Sequence, residues 1–366
     1  MKKKLLCILM LIVFFMTGCG SKSKEQLKSD FINEINNMSK YYMEGTLSIT
    51  NNDDNYNYSV AVSYLKDDYY RVSLKNQSNN YEQVIIKNNE GVYVVNPSLN
   101  RSFKFKSDWP YNSSQSYLLK SLSDDLKNDS EYSVEQKEDS YVFITKTNYV
   151  NNHDLVSQKI TVDKEMNLKQ VDVMDEKGIS HIVFKVKKID QKIVFADNYF
   201  SIDTLVNTKK DEKENKDKTN EELTKGNENS RSDDNSNENS NNNVEEERST
   251  STISEELFPL YIPANTNLSD REVIKTTAGQ RIIMTFSGDN PFILVQENVM
   301  KEDELVVTPS YGEPYLLVDT VGALTDNSYT WISNGVEYYI VSDVLAQDEL
   351  LEVAKSINVI ATIAEK

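Results

Sequence analysis

Cysteine and histidine are scarce in this 366-residue chain, which has two of each. The cysteines, Cys7 and Cys19, both lie near the start, so the sequence predicts a folded part without disulfides. The histidines, His153 and His181, are too few for the clustered nitrogen and sulfur ligands of a zinc site. Neither histidine lies in a motif that would orient a catalytic base. We therefore interpret both as ordinary surface residues, and we expect no metal site and no catalytic residues.

Glycine is also sparse, and the 11 glycines form no phosphate-binding loop. The acidic pairs Asp53-Asp54, Asp67-Asp68 and Asp124-Asp125 are interpreted as solvated charge in turns or on a helix face. The alternative, a pair of carboxylates for acid–base catalysis, needs two side chains held across a substrate. These absences predict a protein that is not an enzyme and has no cofactor.

The excess of negative over positive charge argues against nucleic acid as a partner. Asp and Glu number 58 against 40 Lys and Arg, and the formal net charge at pH 7 is −18. Nucleic-acid binding depends on neutralising phosphates with basic side chains, and docking on an anionic lipid surface needs the same charges. Attachment to a membrane must therefore use another device.

That device is predicted at the start of the chain. Lys2–Lys4 form a positive segment, Leu5–Met16 is an apolar run shorter than the about 20 residues of a membrane span, and Met16-Thr17-Gly18-Cys19 resembles a bacterial lipobox. We predict a lipoprotein signal peptide over 1–18, a diacylglycerol and palmitate modification on Cys19, and a lipidated spacer over 19–23. The protein would be lipid-anchored on the extracytoplasmic face of the cell membrane. The alternative is an ordinary signal peptide with an incidental cysteine.

Residues 24–206 are predicted to form an α+β domain. Apolar residues at three-to-four spacing predict a helix over about 24–41 and a second helix near 114–127. Period-2 alternation, interrupted by turns such as Asn88-Asn89-Glu90-Gly91, predicts about ten short strands with antiparallel neighbours. Together these elements predict one curved antiparallel sheet, a half-barrel, with helices on one face.

A change of composition divides the chain. Residues 207–253 consist mainly of Lys, Glu, Asp, Asn and Ser. Such a segment buries too little apolar surface to offset the entropy of ordering, so we predict a disordered acidic, Asn-rich linker. The alternative is a solvated helix around Glu221–Lys225. Residues 254–366 are predicted to form a small second α+β domain, with a hairpin across Asn334-Gly335 and a C-terminal helix.

Two blocks of the sequence resemble a known family. The run Tyr42-Met43-Glu44-Gly45-Thr46-Leu47, the helix in mid-sheet and the closing Ile193-Val194-Phe195-Ala196-Asp197-Asn198-Tyr199-Phe200 resemble the LolA/LolB lipoprotein-carrier fold. The likeness is greatest to the germination and sporulation lipoproteins of spore-forming Firmicutes. The pattern Trp331-x-x-x-Gly335-x-x-Tyr338 and the final helix resemble a domain found behind LolA-like modules.

The resemblance implies three functions, and the sequence does not decide between them. In the germination lipoproteins the fold is the partner of a cortex-modifying amidase, which implies a non-catalytic scaffold for a cell-wall hydrolase or another envelope protein in sporulation or germination. In the carriers the fold holds acyl chains, which implies lipid or lipoprotein binding and sorting. In a related envelope-stress sensor it regulates an anti-sigma factor.

For the carrier alternative, candidate residues of an apolar cavity lie on one face of the predicted sheet, with a helix as a lid. These residues are Phe31, Ile35, Leu47, Ile49, Val60, Val62, Val72 and Leu74. The competing interpretation is a plain hydrophobic core, because any half-buried sheet alternates in the same way.

Overall fold

The computed structural model describes residues 22–51, 54–149, 152–205, 253, 256–317 and 320–357. Within these ranges the chain forms two units, each with its own sheet and hydrophobic core. The predicted signal peptide, Cys19 and almost all of the predicted linker lie outside the described residues.

The first unit is built on a 12-stranded sheet with the spatial order β15-β6-β5-β4-β3-β2-β1-β11-β10-β9-β8-β7. Its helices and all strands but one are, in chain order, α1 (Lys24–Asn37), β1 (Lys40–Asn51), β2 (Asp54–Leu65), β3 (Tyr69–Asn76), β4 (Glu82–Asn88), β5 (Gly91–Asn96), β6 (Arg101–Phe105), α2 (Leu119–Asn128), β7 (Ser133–Gln136), β8 (Ser140–Lys146), β9 (Ser157–Asp163), β10 (Leu168–Met174) and β11 (Ser180–Asp190). These strands pair antiparallel with their neighbours. The prediction of a large curved sheet with α+β character is confirmed.

Both helices pack on one face of this sheet, which we call the inner face. Helix α1 begins with a capping box: the Gln26 N–H donates to Ser23 Oγ, and the Ser23 N–H donates to Gln26 Oε1. Its apolar side is buried against the sheet, where the rings of Phe31 and Phe143 have centroids 5.6 Å apart. The predicted first helix is therefore present, and it ends earlier than expected because β1 already begins at Lys40.

The opposite, outer face is partly covered by the chain that follows β11. Residues 193–205 cross this face, and Arg71 Nη1 donates to the backbone oxygen of Tyr199 at 3.0 Å. Ile202 and Leu205 pack on the outward side chains of β4 and β5. The aromatic segment that carried part of the family resemblance thus closes the back of the sheet.

The second unit is a seven-stranded antiparallel sheet with the spatial order β12-β13-β14-β19-β18-β17-β16 and one helix. Its elements are β12 (Thr266–Thr276), β13 (Gly279–Gly288), β14 (Phe292–Asn298), β16 (Glu313–Leu316), β17 (Val321–Leu324), β18 (Ser328–Ser333), β19 (Val336–Val341) and α3 (Gln347–Ile357). The predicted hairpin is confirmed: Asn334 and Gly335 have φ of 50° and 79°, which a tight turn between twisted strands needs. Across it the Trp331 and Tyr338 rings stack with centroids 5.0 Å apart.

Three features of this part of the chain differ from the sequence-based expectation. Within Tyr315–Leu324 the strand pattern predicts another strand, but the chain turns back there, so that the segment contributes to both β16 and β17 of a hairpin. The strand β12 was not predicted. The strand β15 (Val306–Ser310) lies in the interval assigned to the second domain, yet it pairs in parallel with β6 and completes the first sheet. Pairing between segments so distant in the chain leaves no local pattern in the sequence.

Candidate functional site

The two units are joined by the side chain of Gln83, a buried residue of β4 that reaches the backbone of β17. Gln83 Oε1 accepts from the Val321 N–H at 2.5 Å, and Gln83 Nε2 donates to the Val321 oxygen at 2.9 Å. Thr320 Oγ1 also donates to Gln83 Oε1, at 3.2 Å. Val321 and Ala323 belong to the core of the first unit. The side-chain amide of Gln83 therefore holds β17 of the second unit against the inner face of the first unit.

A second junction lies at the edge where β15 pairs with β6. Arg101 Nη2 lies 3.0 Å from Glu302 Oε1, and Arg101 Nη1 lies 3.6 Å from Glu337 Oε2 on β19. Burial raises the pKa of Glu337, and the Arg101 charge partly offsets this rise. One guanidinium thus contacts a carboxylate on the approach to β15 and a carboxylate in the sheet of the second unit.

A cleft of about 800 Å³ has walls that come from both units. This volume falls within the range of small-molecule sites, roughly 300–1,000 Å³. The apolar side chains on its walls include Leu47, Ile49, Ile85, Tyr117, Leu155, Ile182, Tyr315, Leu316 and Leu317. Such a cleft offers an apolar surface to a ligand that enters between the sheets.

Several of the acidic and basic groups along the cleft are engaged with one another or with neutral polar side chains. Glu313 accepts hydrogen bonds from Ser107 and from Asn112, the latter at 2.7 Å, and burial raises its pKa. Lys355 Nζ lies 2.6 Å from Glu352 Oε1 on α3. The contacts of these groups hold the walls of the cleft together.

The polar loop before α2 forms one wall and is held by Asp125. Asp125 Oδ2 accepts from Ser114 Oγ and from Gln158 Nε2, both at 2.8 Å. Burial raises the pKa of Asp125 to about 6, and the two hydrogen bonds partly offset that rise. The sequence had suggested solvated charge for the pair Asp124-Asp125. Asp125 differs because the loop folds over it, whereas Asp124 pairs with Lys120 on the surface of the helix.

Three buried or half-buried tyrosines line the cleft, namely Tyr117, Tyr149 and Tyr315, and burial raises the pKa of each. Their hydroxyls therefore stay protonated at neutral pH, and the Tyr149 hydroxyl already hydrogen-bonds with Ser116. Tyr311 also lines the cleft and is 88% exposed. Sequence reasoning did not single out these tyrosines, although the polar run after Trp109-Pro110 marked a break in the strand pattern at this wall.

The eight sequence-predicted cavity residues divide between core and cleft. Leu47 and Ile49, at the end of β1, line the cleft. The other six are packed in the core of the first unit and are absent from the lining: Phe31, Ile35, Val60, Val62, Val72 and Leu74. They are buried because they pack into one continuous core with the rest of the inner face.

The two histidines occupy different surroundings. His181 lies at the cleft with Nε2 3.1 Å from Asp175 Oδ2, and His153 is exposed in the loop between β8 and β9. Among the described residues, no three His, Cys, Asp or Glu side chains come together in a way that could hold a metal ion. In the same part of the chain, no helix has the length and apolar character that a membrane crossing requires.

Comparison with known proteins relates this architecture to a family. The model of the YdcC-like sporulation proteins matches residues 1–200. The chain is also 33% identical over 354 residues to the sporulation protein YdcC of Bacillus subtilis (strain 168), a match that covers 95% of this chain and 94% of that protein. The chain belongs to the YdcC-like sporulation protein family. The resemblance to sporulation proteins of spore-forming Firmicutes is thereby confirmed.

Solved structures that align with this YdcC-like chain are more distant. MucB aligns with 92% of the chain and 98% of its own length, at 11% identity and a TM-score of 0.33. A LolA superfamily protein from Nitrosomonas europaea aligns with 50% of the chain and 100% of its own length, at 8% identity and a TM-score of 0.29. A chain of the structure of the Clostridioides difficile CwlD amidase in complex with the GerS lipoprotein aligns with 49% of this chain and 100% of its own length, at 16% identity and a TM-score of 0.20.

Proposed function

We propose that this YdcC-like protein is a lipid-anchored, non-catalytic binding protein of the sporulating cell envelope, held at the membrane by a diacylglycerol on Cys19. Its partner would be a cell-wall hydrolase or another envelope protein, part of which enters the cleft between the units. Membership of a sporulation protein family supports the process, and the sequence before Cys19 supports the anchor.

The cleft is the observation that carries the proposal. It combines apolar walls with protonated tyrosine hydroxyls, a combination suited to a polypeptide segment that buries apolar side chains and hydrogen-bonds through its backbone. The charged groups beside it, such as Glu313 with Ser107 and Asn112, have hydrogen-bond partners within the protein. They are suited to shaping a wall rather than to transferring protons.

A second candidate function is the binding of a lipid or of a lipoprotein's acyl chain. It is favoured by Leu47 and Ile49, which were expected in an acyl cavity and lie on the cleft. Mass spectrometry of organic extracts of the purified protein distinguishes the two ligands, because an acyl ligand would copurify in stoichiometric amount and a protein segment would not.

The anchor is tested by fractionating sporulating cells that carry Cys19→Ala. We expect the variant to leave the membrane fraction while its thermal unfolding stays unchanged. If it remained with the membrane, the anchor would have to be abandoned.

The cleft is tested with Tyr311→Ser combined with Leu316→Ser, which removes apolar surface from its lining. The matched control is Val306→Ser, at a 43% exposed position on β15 outside the lining. We expect the double variant to fold, to reach the membrane, and to lower the yield of heat-resistant spores as far as a deletion does, while the control sporulates normally. Normal sporulation by the double variant would contradict a role for the cleft.

A further inference from the structure

An exposed apolar ridge lies at the start of the second unit, outside the cleft. It consists of Phe258, Leu260, Tyr261 and Ile262, which are 41%, 61%, 42% and 39% exposed. Contiguous exposed apolar surface of this kind is rare on a soluble domain and marks contact with another molecule.

In the ridge segment the prolines are buried and the larger apolar side chains are exposed. Pro259 and Pro263 point inward and are buried, while the larger side chains between and beside them face solvent. The segment is anchored just before the ridge by Gln296, which accepts from the Leu257 N–H at 3.1 Å and donates to the Leu257 oxygen at 2.6 Å. Because the two prolines restrict the backbone and Gln296 fixes one end, the apolar side chains are held outward at little further cost in entropy.

The border of the ridge is acidic. Tyr261 Oη donates to Glu349 Oε1 at 3.0 Å, which places the exposed side of α3 beside the ridge. Burial, the bond to Glu349 and the charge of Glu352 together raise the pKa of Tyr261. Asp348, also on α3, is exposed and makes no ion pair with the described residues. Of the acidic side chains here, Glu352 alone is neutralised by a lysine, Lys355.

We propose that the ridge and the acidic side of α3 form a docking surface for a protein segment that presents an apolar strip flanked by Lys or Arg. Charge complementarity selects this occupant, because acidic borders attract basic side chains and repel the headgroups of anionic lipids. An amphipathic basic helix has this chemistry. The inference concerns a surface separate from the cleft and does not depend on what the cleft holds.

The docking surface and the cleft lie on the same side of the second unit. Glu352 stands beside Tyr261 and also lines the cleft. A partner seated on the ridge therefore reaches the mouth of the cleft across a single helix, and one partner could occupy both.

The test measures binding of a synthetic amphipathic peptide of Leu and Lys to the full mature chain by fluorescence anisotropy. The ridge variant is Leu260→Ser with Ile262→Ser, and its control is Ile293→Ser, at a 39% exposed position on β14 of the same unit. We expect the ridge variant to weaken binding about tenfold, as loss of central apolar contacts does, and the control to change it less than about twofold.

The charge is tested separately with Asp348→Asn combined with Glu349→Gln, which keeps an oxygen for the Tyr261 hydroxyl and leaves the Glu352–Lys355 pair intact. A control with the same net charge is Asp270→Asn combined with Glu272→Gln, on the exposed strand β12. The first pair should weaken binding several-fold at low salt and reduce its salt dependence, because local pairs are screened over about 10 Å at 0.1 M. The second pair should behave as the parent chain does.

Four outcomes overturn the proposal. The first is binding of the ridge variant equal to that of its control, and the second is equal binding of a peptide with Glu in place of Lys. The third is binding of phosphatidylglycerol vesicles through the ridge in place of the peptide, which would make the occupant a membrane. The fourth is a dimer in sedimentation that the ridge variant abolishes, which would make the occupant a second copy of this chain.

Discussion

The replacement Gln83→Leu tests how tightly the two units are coupled. It keeps most of the side-chain volume but removes both hydrogen bonds to Val321, so the Val321 N–H and C=O lose their partner inside the protein. A buried polar group without a partner costs about 1–3 kcal/mol, so the two groups together should cost about 3 kcal/mol. This loss of free energy should weaken the contact between the two units, since Gln83 lies in the first unit and its partner Val321 in the second.

The chain has two tryptophans, which report on the units separately. Trp109 is buried in the first unit beside Tyr70, and Trp331 is buried in the second. Urea unfolding is followed by fluorescence in Trp109→Phe and Trp331→Phe backgrounds. With a slope of about 2 kcal/mol per molar urea, a loss of about 3 kcal/mol moves the midpoint by about 1.5 M.

In the parent chain we expect both tryptophans to report the same transition, because the units share core residues and hydrogen bonds. In Gln83→Leu the Trp331 transition should move to lower urea and separate from the Trp109 transition. The matched control is Gln77→Leu, an exposed glutamine whose side chain bonds to Ser59 within the first unit. A Trp331 midpoint that stays at the parent value in Gln83→Leu would refute the coupling.

Three further predictions concern single residues. Asp125 has a pKa raised to about 6, so its ionisation opposes folding: the stability that its neutral form provides is present below about pH 4 and is lost as the pH rises through 6. The difference in free energy of unfolding between Asp125→Asn and the parent, measured by urea unfolding, should therefore shift in favour of the variant by about 2 kcal/mol from pH 4.5 to pH 7.5. The same difference at both pH values would contradict this. Gly45→Ala would place a Cβ 2.5 Å from the Phe184 ring, and should lower the free energy of unfolding by about 2 kcal/mol or more, measured by urea unfolding against the parent. Gln296→Leu, made in the chain that also carries Gln83→Leu, should move the Trp331 transition to still lower urea by loosening Leu257, while the Trp109 transition stays in place; a Trp331 midpoint equal to that of Gln83→Leu alone would contradict this.

Local patterns in the sequence were enough to predict most elements of the first unit and the last hairpin and helix of the second. The spacing of Phe31 and its neighbours predicted α1, and Asn334-Gly335 predicted the hairpin β18–β19 with Trp331 and Tyr338 on facing strands. These predictions succeeded because helix periodicity and turn chemistry are properties of neighbouring residues.

The assembly of the units could not be predicted in the same way. In the sequence, Gln83 looks like any other polar residue of a strand, and nothing indicates that its side-chain amide bonds to β17. Likewise, nothing in the sequence of β15 indicates that it pairs with β6 of the first unit. The cavity residues show a similar limit: alternation indicated that Leu47 and Val62 face inward, but not that only Leu47 would also line the cleft. Each outcome depends on contacts between distant parts of the chain.

The start of α1 and the cleft lie at opposite ends of the first sheet. Gln136 Nε2 donates to the Lys22 oxygen at 2.9 Å, which ties the beginning of the described chain to the turn before β8, whereas the loop after β8 lines the cleft. Seven strand residues separate these ends, a height of roughly 23 Å at about 3.3 Å per residue. If the proposed lipid on Cys19 holds the start of α1 at a membrane, this separation sets the cleft apart from the anchored end. A protein partner would then reach the cleft without entering the bilayer, whereas an acyl chain would first have to leave the bilayer.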